Sequence, residues 1–167
     1  MGLTPTPPPA APAQAFLGLT FNWGALLGWA AARGSLELPV VLPLYGAGVC
    51  WTLVYDTIYA HQDKEDDARV GIRSTALTFG ARSKAYLAAF AAGNVGLLAL
   101  AGAAAGCGAP FYAGVAAGGA HLAWQVASVD LDDRGDCAAK FVSNKVYGGL
   151  VFGGILADRL LPLLLAG

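Results

Sequence analysis

Asp56, Ala60, Asp63 and Asp67 stand at positions i, i+4, i+7 and i+11. On a helix turning about 100° per residue they fall within a stripe of roughly 60°. If the helix that carries Asp56 continues past Tyr59, three carboxylates share one face. They then repel one another unless a cation lies among them. Hard oxygen donors of this kind suit Mg2+, which keeps several waters and bridges to a substrate phosphate. Arg69 and Arg73 follow, then Ser74 and Thr75. Carboxylates for a metal, followed by cations and hydroxyls, make a diphosphate cradle. The competing reading is a solvated, charged loop. The helical phase, the trailing basic residues and the place of Asp56 at the edge of a long apolar run favour the metal–phosphate site, because unpaired charge is costly there.

The elements that must position these residues belong to a membrane protein. The chain has 167 residues, of which 56% are hydrophobic and 13% charged, against about 25% charged in an ordinary soluble domain. Five apolar segments run from about Ala15 to Ala32, Leu38 to Tyr59, Ala85 to Gly106, Phe111 to Val129 and Tyr147 to Leu165. Each is close to the roughly 20 residues a helix needs to cross a bilayer, where every backbone polar group must be paired internally. The fold expected is therefore an all-α integral membrane bundle of about five transmembrane helices. The links Arg33–Glu37 and Cys107–Pro110 are short, whereas His61–Lys84 and Asp130–Lys145 are long and charged. With five spans, the two long links share one side of the membrane. Lys64, Arg69, Arg73, Arg82, Lys84, Arg134, Lys140 and Lys145 lie on that side, and only Arg33 and Arg159 remain elsewhere. Such a bias puts the long loops on the cytosolic or matrix face.

Other readings follow from composition. Met1 to Pro12 hold five prolines and no basic residue, so residues 1–13 are expected to be a disordered lead-in rather than a targeting peptide. Residues 14–167 form the membrane domain. The net charge of −1 gives no footprint for nucleic acid. Cys50, Cys107 and Cys137 are scattered singly, without metal-site or disulfide spacing. Small residues crowd the spans, including Gly149 and Gly153 four apart, and let helices approach closely in lipid. Asn22 and His121 are polar residues inside spans, each open to a helix–helix hydrogen bond or to lining a cavity. Asp158 and Arg159 are expected to pair or to reach the far interface by snorkelling, and Asp130, Asp132, Asp133 and Asp136 to form mainly a solvated loop.

The run from Tyr55 to Asp67, followed by Gly71-Ile72-Arg73-Ser74-Thr75-Ala76-Leu77, resembles the second aspartate-rich motif of the UbiA-type intramembrane prenyltransferases. It is most similar to the 4-hydroxybenzoate branch of ubiquinone synthesis. Gly18 to Gly24 is similar to the fifth helix of that family. Asp136-Cys137 with Lys140 to Asn144 is similar to the loop before its last helix. The resemblance runs from about Gln14 to the C-terminus and implies helices five to nine of a nine-helix bundle.

It implies transfer of a polyprenyl chain from its diphosphate to 4-hydroxybenzoate, with Mg2+ as the cofactor. By the same carry-over Asp56, Asp63 and Asp67 are the catalytic metal ligands. Arg73 is a diphosphate contact by the same resemblance; beside it, Lys140 and Lys145 are cations for diphosphate or for lipid headgroups, and Asn22 and Tyr59 are expected in the substrate cavity. The membrane implied is the mitochondrial inner membrane with long loops in the matrix, or else a bacterial inner membrane with cytoplasmic loops. The family's first motif, Asn-Asp-x-x-Asp-x-x-x-Asp, has no counterpart here: no aspartate precedes Asp56, and the only earlier acid is Glu37. The expectation is a C-terminal part of such an enzyme, with little activity alone and a missing N-terminal half as its partner. The second reading is a non-catalytic membrane fragment or truncated isoform. A small transporter is a third, disfavoured by how few and scattered the intramembrane polar residues are.

Overall fold

A computed structural model describes residues 13–71 and 74–165. The Pro-rich lead-in and Arg73 lie outside the described residues, apart from the lead-in's last residue, Ala13. Eight α-helices follow in order among those described: α1 (Ala13–Phe21), α2 (Trp23–Arg33), α3 (Leu38–Ala60), α4 (Lys64–Val70), α5 (Thr75–Phe79), α6 (Ser83–Ala104), α7 (Ala109–Ser128) and α8 (Arg134–Leu165). A single 3-10 turn, Gly80–Arg82, leads into α6.

Four stretches are long and apolar enough to cross a membrane: Gln14–Arg33, Leu38–Ala60, Thr75–Ala104 and Arg134–Leu164. The fifth segment expected, now α7, has the length at 20 residues, but not the hydropathy. Half of it is Ala and Gly, and it carries His121 and Gln125. It is held by neighbours instead, packing along α8 on one flank and α6 on the other. Helices α3, α6, α7 and α8 surround a core built on Val54, Ile58, Leu87, Leu122 and Tyr147. The segment formed by α1 and α2 leans mainly on α3, with a further tie where Gln14 Oε1 accepts the Thr75 N–H of α5 at 2.9 Å.

The closest helix approach is at Gly114 on α7 and Gly154 on α8. A Cβ on Gly114 would stand 2.7 Å from the Gly154 Cα and 2.8 Å from the Leu150 carbonyl, so the two backbones touch. Gly118 likewise faces Tyr147 and Val151. The small-residue pair singled out in the sequence is not the packing pair. A Cβ on Gly149 or Gly153 would meet nothing within 4 Å.

Both long links are shorter than expected. α8 begins at Arg134, so Lys140 and Lys145 are helical, not in a loop. The Asp133 carboxylate starts this helix by accepting the Gly135 N–H at 2.7 Å and the Asp136 N–H at 3.3 Å, the ordinary way to satisfy free N–H groups at a helix start. Asp136 in turn accepts the Asp130 N–H at 2.7 Å and pairs with Lys140 at 2.9 Å. Asp130, Asp132 and Asp133 are exposed in the turn between α7 and α8, as a solvated loop requires, and they build that turn as well, while Asp136 lies in the first turn of α8.

Candidate functional site

Helix α3 ends at Ala60, three residues before Asp63. The continuous stripe expected of Asp56, Asp63 and Asp67 is therefore broken. The cause is local. The His61 ring donates from Nδ1 to the Thr57 carbonyl at 2.8 Å, the oxygen that the His61 backbone N–H would use in a regular helix. That N–H turns instead to Ile58 at 3.2 Å, which tightens the last turn and stops the helix. A second helix starts at once, with Asp63 as its N-cap and Asp67 one turn along, its N–H donating to the Asp63 carbonyl at 2.8 Å. Burial holds the His61 imidazole below its ordinary range. The Thr57 contact opposes this, Lys64 adds to it and Asp132 opposes it.

Asp56 is half-buried in the last turns of α3, Asp67 is half-buried on α4, and Asp63 is exposed. None of the three has an ion pair among the described residues; the acids that do are Glu37, Glu65, Asp66, Asp136 and Asp158. No three His, Cys, Asp or Glu side chains among the described residues converge as a closed metal cage. The donor chemistry still fits Mg2+, which takes one or two carboxylates and completes its shell with water and phosphate oxygens.

Below these carboxylates lies a cavity of about 280 Å³ lined by Asn22, Trp51, Asn94, Tyr147, Gly148 and Phe152, among others. Its polar rim groups are fixed. Tyr147 donates to Asn94 Oδ1 at 2.6 Å, and Asn94 donates to the Ala47 carbonyl at 2.9 Å. Trp51 Nε1 donates to Asn144 Oδ1 at 2.9 Å. Asn22 donates to Thr52 Oγ1 at 2.9 Å and to the Gly18 carbonyl at 2.8 Å. Between cavity and carboxylates runs an aromatic wall: Trp51 to Tyr55 at 5.2 Å between ring centres, Tyr55 to Phe141 at 5.7 Å and Tyr59 to Phe141 at 5.0 Å. These spacings are those of favourable ring pairs.

The expected site residues thus divide. Asn22 lines the cavity, and Tyr59, exposed, joins the wall above it. Lys145 is exposed on α8 at i+4 from Phe141 and i−3 from Gly148, on the cavity-facing stripe. Lys140 points elsewhere, its ammonium bound to Asp136 and lying 4.8 Å over the Trp124 ring. His121 is a helix–helix contact, 3.3 Å from Ser143 Oγ. Asp158 and Arg159 are in contact at 4.0 Å, but the Asp158 carboxylate mainly accepts the Gly108 N–H at 2.8 Å. Sequence reasoning missed Trp51, Asn94 and Tyr147. The rule that picked out Asn22, a polar side chain inside an apolar span, applies equally to Asn94.

The UbiA prenyltransferase family profile matches residues 10–152. The chain is 56% identical over 146 residues to the mitochondrial 4-hydroxybenzoate polyprenyltransferase of Arabidopsis thaliana, covering 87% of this chain and 36% of that protein. It is 56% identical to the protein of the same name from Rattus norvegicus, over 88% of this chain and 39% of the relative. For the one from Homo sapiens the identity is 52%, with 88% and 40% covered. The chain thus spans well under half the length of these relatives. No solved structure matches it.

Proposed function

The chain belongs to the UbiA prenyltransferase family, and from that premise we propose that it serves in moving a polyprenyl group from its diphosphate to 4-hydroxybenzoate. The observation that carries the reading is the order of chemistry along α3 and into α4: an apolar cavity, an aromatic wall with Asp56 between Tyr55 and Tyr59, then Asp63 and Asp67, all three carboxylates without ion pairs among the described residues. An isoprenoid tail fits the first, an allylic carbon the second and a metal-bound diphosphate the third.

Asp63 and Asp67 would hold Mg2+ from α4, and Asp56 would hold it from α3. When bound, Mg2+ neutralises the diphosphate and makes it a better leaving group. Tyr55, Tyr59 and Phe141 keep water from the allylic carbon, and their ring faces favour positive charge as it develops there. Lys145 and Arg73 supply cations for diphosphate oxygens. Asn94, Tyr147 and Trp51 hold α3, α6 and α8 together so that the wall keeps its shape. The relatives are named as mitochondrial, and the mitochondrial inner membrane is the location inferred. The charge bias then turns the α3–α4 end to the matrix.

The test is Mg2+-dependent binding of a non-reactive prenyl thiodiphosphate to the purified chain in lipid nanodiscs. Binding that needs Mg2+ and is lost in the Asp63→Asn/Asp67→Asn double variant, with helix content unchanged, is the expected result. Equal binding without Mg2+ or in the double variant rules the reading out. Because no aspartate precedes Asp56, the 167-residue chain alone is expected to bind but to prenylate 4-hydroxybenzoate little. Substantial prenylation by it overturns the need for a second carboxylate cluster.

A further inference from the structure

On the side of the bundle away from α3 and α8, helices α6 and α7 diverge around a groove of about 770 Å³. Its floor is small and apolar: Ala88, Ala92 and Gly96 on α6 face Ala116, Ala123 and Ala127 on α7. At about 1.5 Å rise per residue, Ala88 to Gly96 spans roughly 12 Å and Ala127 to Ala116 roughly 16 Å. That depth is half the roughly 30 Å hydrocarbon core. The groove starts at the long-loop interface and stops near mid-membrane, so it matches one leaflet. A spanning helix would need a contact of twice that length.

The interfacial mouth of the groove opens beside a second, polar hollow of about 720 Å³, lined by Lys64, Lys84, Ser128, Asp130 and Asp132 with His61. Lys84 precedes Ala88 by one turn, and Ser128 follows Ala127. The two lysines and two aspartates cancel in charge, so a purely anionic headgroup gains little there. A headgroup carrying a phosphate and an ammonium on separate atoms gains at both. A primary ammonium also donates hydrogen bonds to carboxylates, which a quaternary one does not.

We propose that this groove and hollow bind one phospholipid with a phosphoethanolamine headgroup. Its acyl chain lies between α6 and α7, its phosphate meets Lys84 and Lys64, and its ammonium meets Asp130 and Asp132. The groove is lined by α6 and α7 and shares no residue with the prenyl cavity, while the hollow borders the α3–α4 corner through His61 and Lys64. Gly96 gives a clean way to fill it, since a Cβ there would meet nothing within 4 Å.

The experiment is native mass spectrometry of the detergent-purified chain after exposure to equal amounts of dioleoyl phosphatidylethanolamine, phosphatidylcholine, phosphatidylglycerol and diacylglycerol. One retained phosphatidylethanolamine is expected, preferred at least about fivefold over each of the others. Gly96→Leu should abolish retention, and Lys84→Gln and Asp132→Asn should each erase the preference while leaving helix content unchanged. Equal retention of all four lipids overturns the headgroup assignment, and undiminished retention in Gly96→Leu overturns the groove. A dimer that Gly96→Leu dissolves, with no lipid retained, assigns the groove to a second copy of the chain and also overturns the proposal.

Discussion

Asn22 and His61 interrupt helices by the same means, with opposite consequences. At Asn22 the side-chain amide takes the Gly18 carbonyl at 2.8 Å while the backbone N–H is stretched to 3.4 Å from the same oxygen. At His61 the ring takes the Thr57 carbonyl and the backbone N–H shifts to Ile58. After Asn22 the chain resumes helix immediately as α2; after His61 it turns and begins a separate helix. The difference is depth. Asn22 sits inside the Gln14–Arg33 span, where no water can satisfy a freed backbone group, so the helix must close again at once. His61 sits just past the end of its span, where water and headgroups can serve, and the chain is free to leave the axis. One side-chain device therefore makes a kink in hydrocarbon and a corner at the interface, and the corner is what sets Asp63 and Asp67 off the α3 axis.

The largest effect that would break this comparison is at His61. His61→Leu removes the competing donor and lets α3 run on, which keeps Asp56, Asp63 and Asp67 on one face but spreads them along it by roughly 10 Å and 6 Å, too far apart to share one cation. Affinity for prenyl thiodiphosphate should fall by roughly tenfold to a hundredfold, about 1.4–2.8 kcal/mol, with little change in unfolding midpoint. Unchanged affinity would show that the corner does not set the site.

Next comes Gly48→Val. A Cβ there would collide with the Asn22 carboxamide, forcing it off both Gly18 and Thr52, and overpacking of this kind costs about 1–3 kcal/mol. Reversible unfolding in mixed micelles reads it; a cost near zero means the amide is not held between α1 and α3. A smaller effect is expected for Asn22→Leu, which loses the bond to Thr52 but frees the Gly18 carbonyl for a regular helix. Interhelical hydrogen bonds in membranes average about 0.6 kcal/mol and reach about 1.7, so destabilisation should stay within that range. A larger loss would mean the kink itself supports the bundle.

The smallest effect is the pH dependence of the corner. His61 is held below its ordinary pKa of about 6.5, so the unfolded chain binds the proton more readily than the folded one. Stability from this group is complete above about pH 6.5 and declines as pH falls through the lower folded value. Comparing unfolding midpoints at two pH values on either side, the native chain should lose stability on acidification more than His61→Leu does. Equal losses would place the titrating group elsewhere.

Much of the architecture was legible in order along the chain. Apolar runs of about 20 residues marked the membrane helices because hydrocarbon admits little else. The reading faltered where charge was used to separate helix from loop. The stretch from Asp130 to Lys145 looked like a loop, yet from Arg134 it is helix, since an interfacial helix carries charge as readily as a loop does. α7 illustrates the converse: read in the sequence as a span, it is too rich in Ala and Gly to qualify by hydropathy and is held by its contacts with α6 and α8. In the site, residue types and family resemblance pointed to Asp56, Asp63, Asp67, Asn22 and Tyr59. They could not say that the carboxylates sit on two helices, or that Lys140 is spent on Asp136 and Trp124.

Composition and motif by themselves determined that this is an all-helical membrane chain of the UbiA family with an acidic segment at one membrane face. Tertiary structure decided which glycines touch, which lysine is taken up by a carboxylate and an aromatic ring, and where α3 stops. The physical reason is range. Hydropathy is a property of each segment in its solvent, whereas close backbone approach, ion pairing and the contest for a single carbonyl depend on groups that only the folded chain brings within 3 to 4 Å.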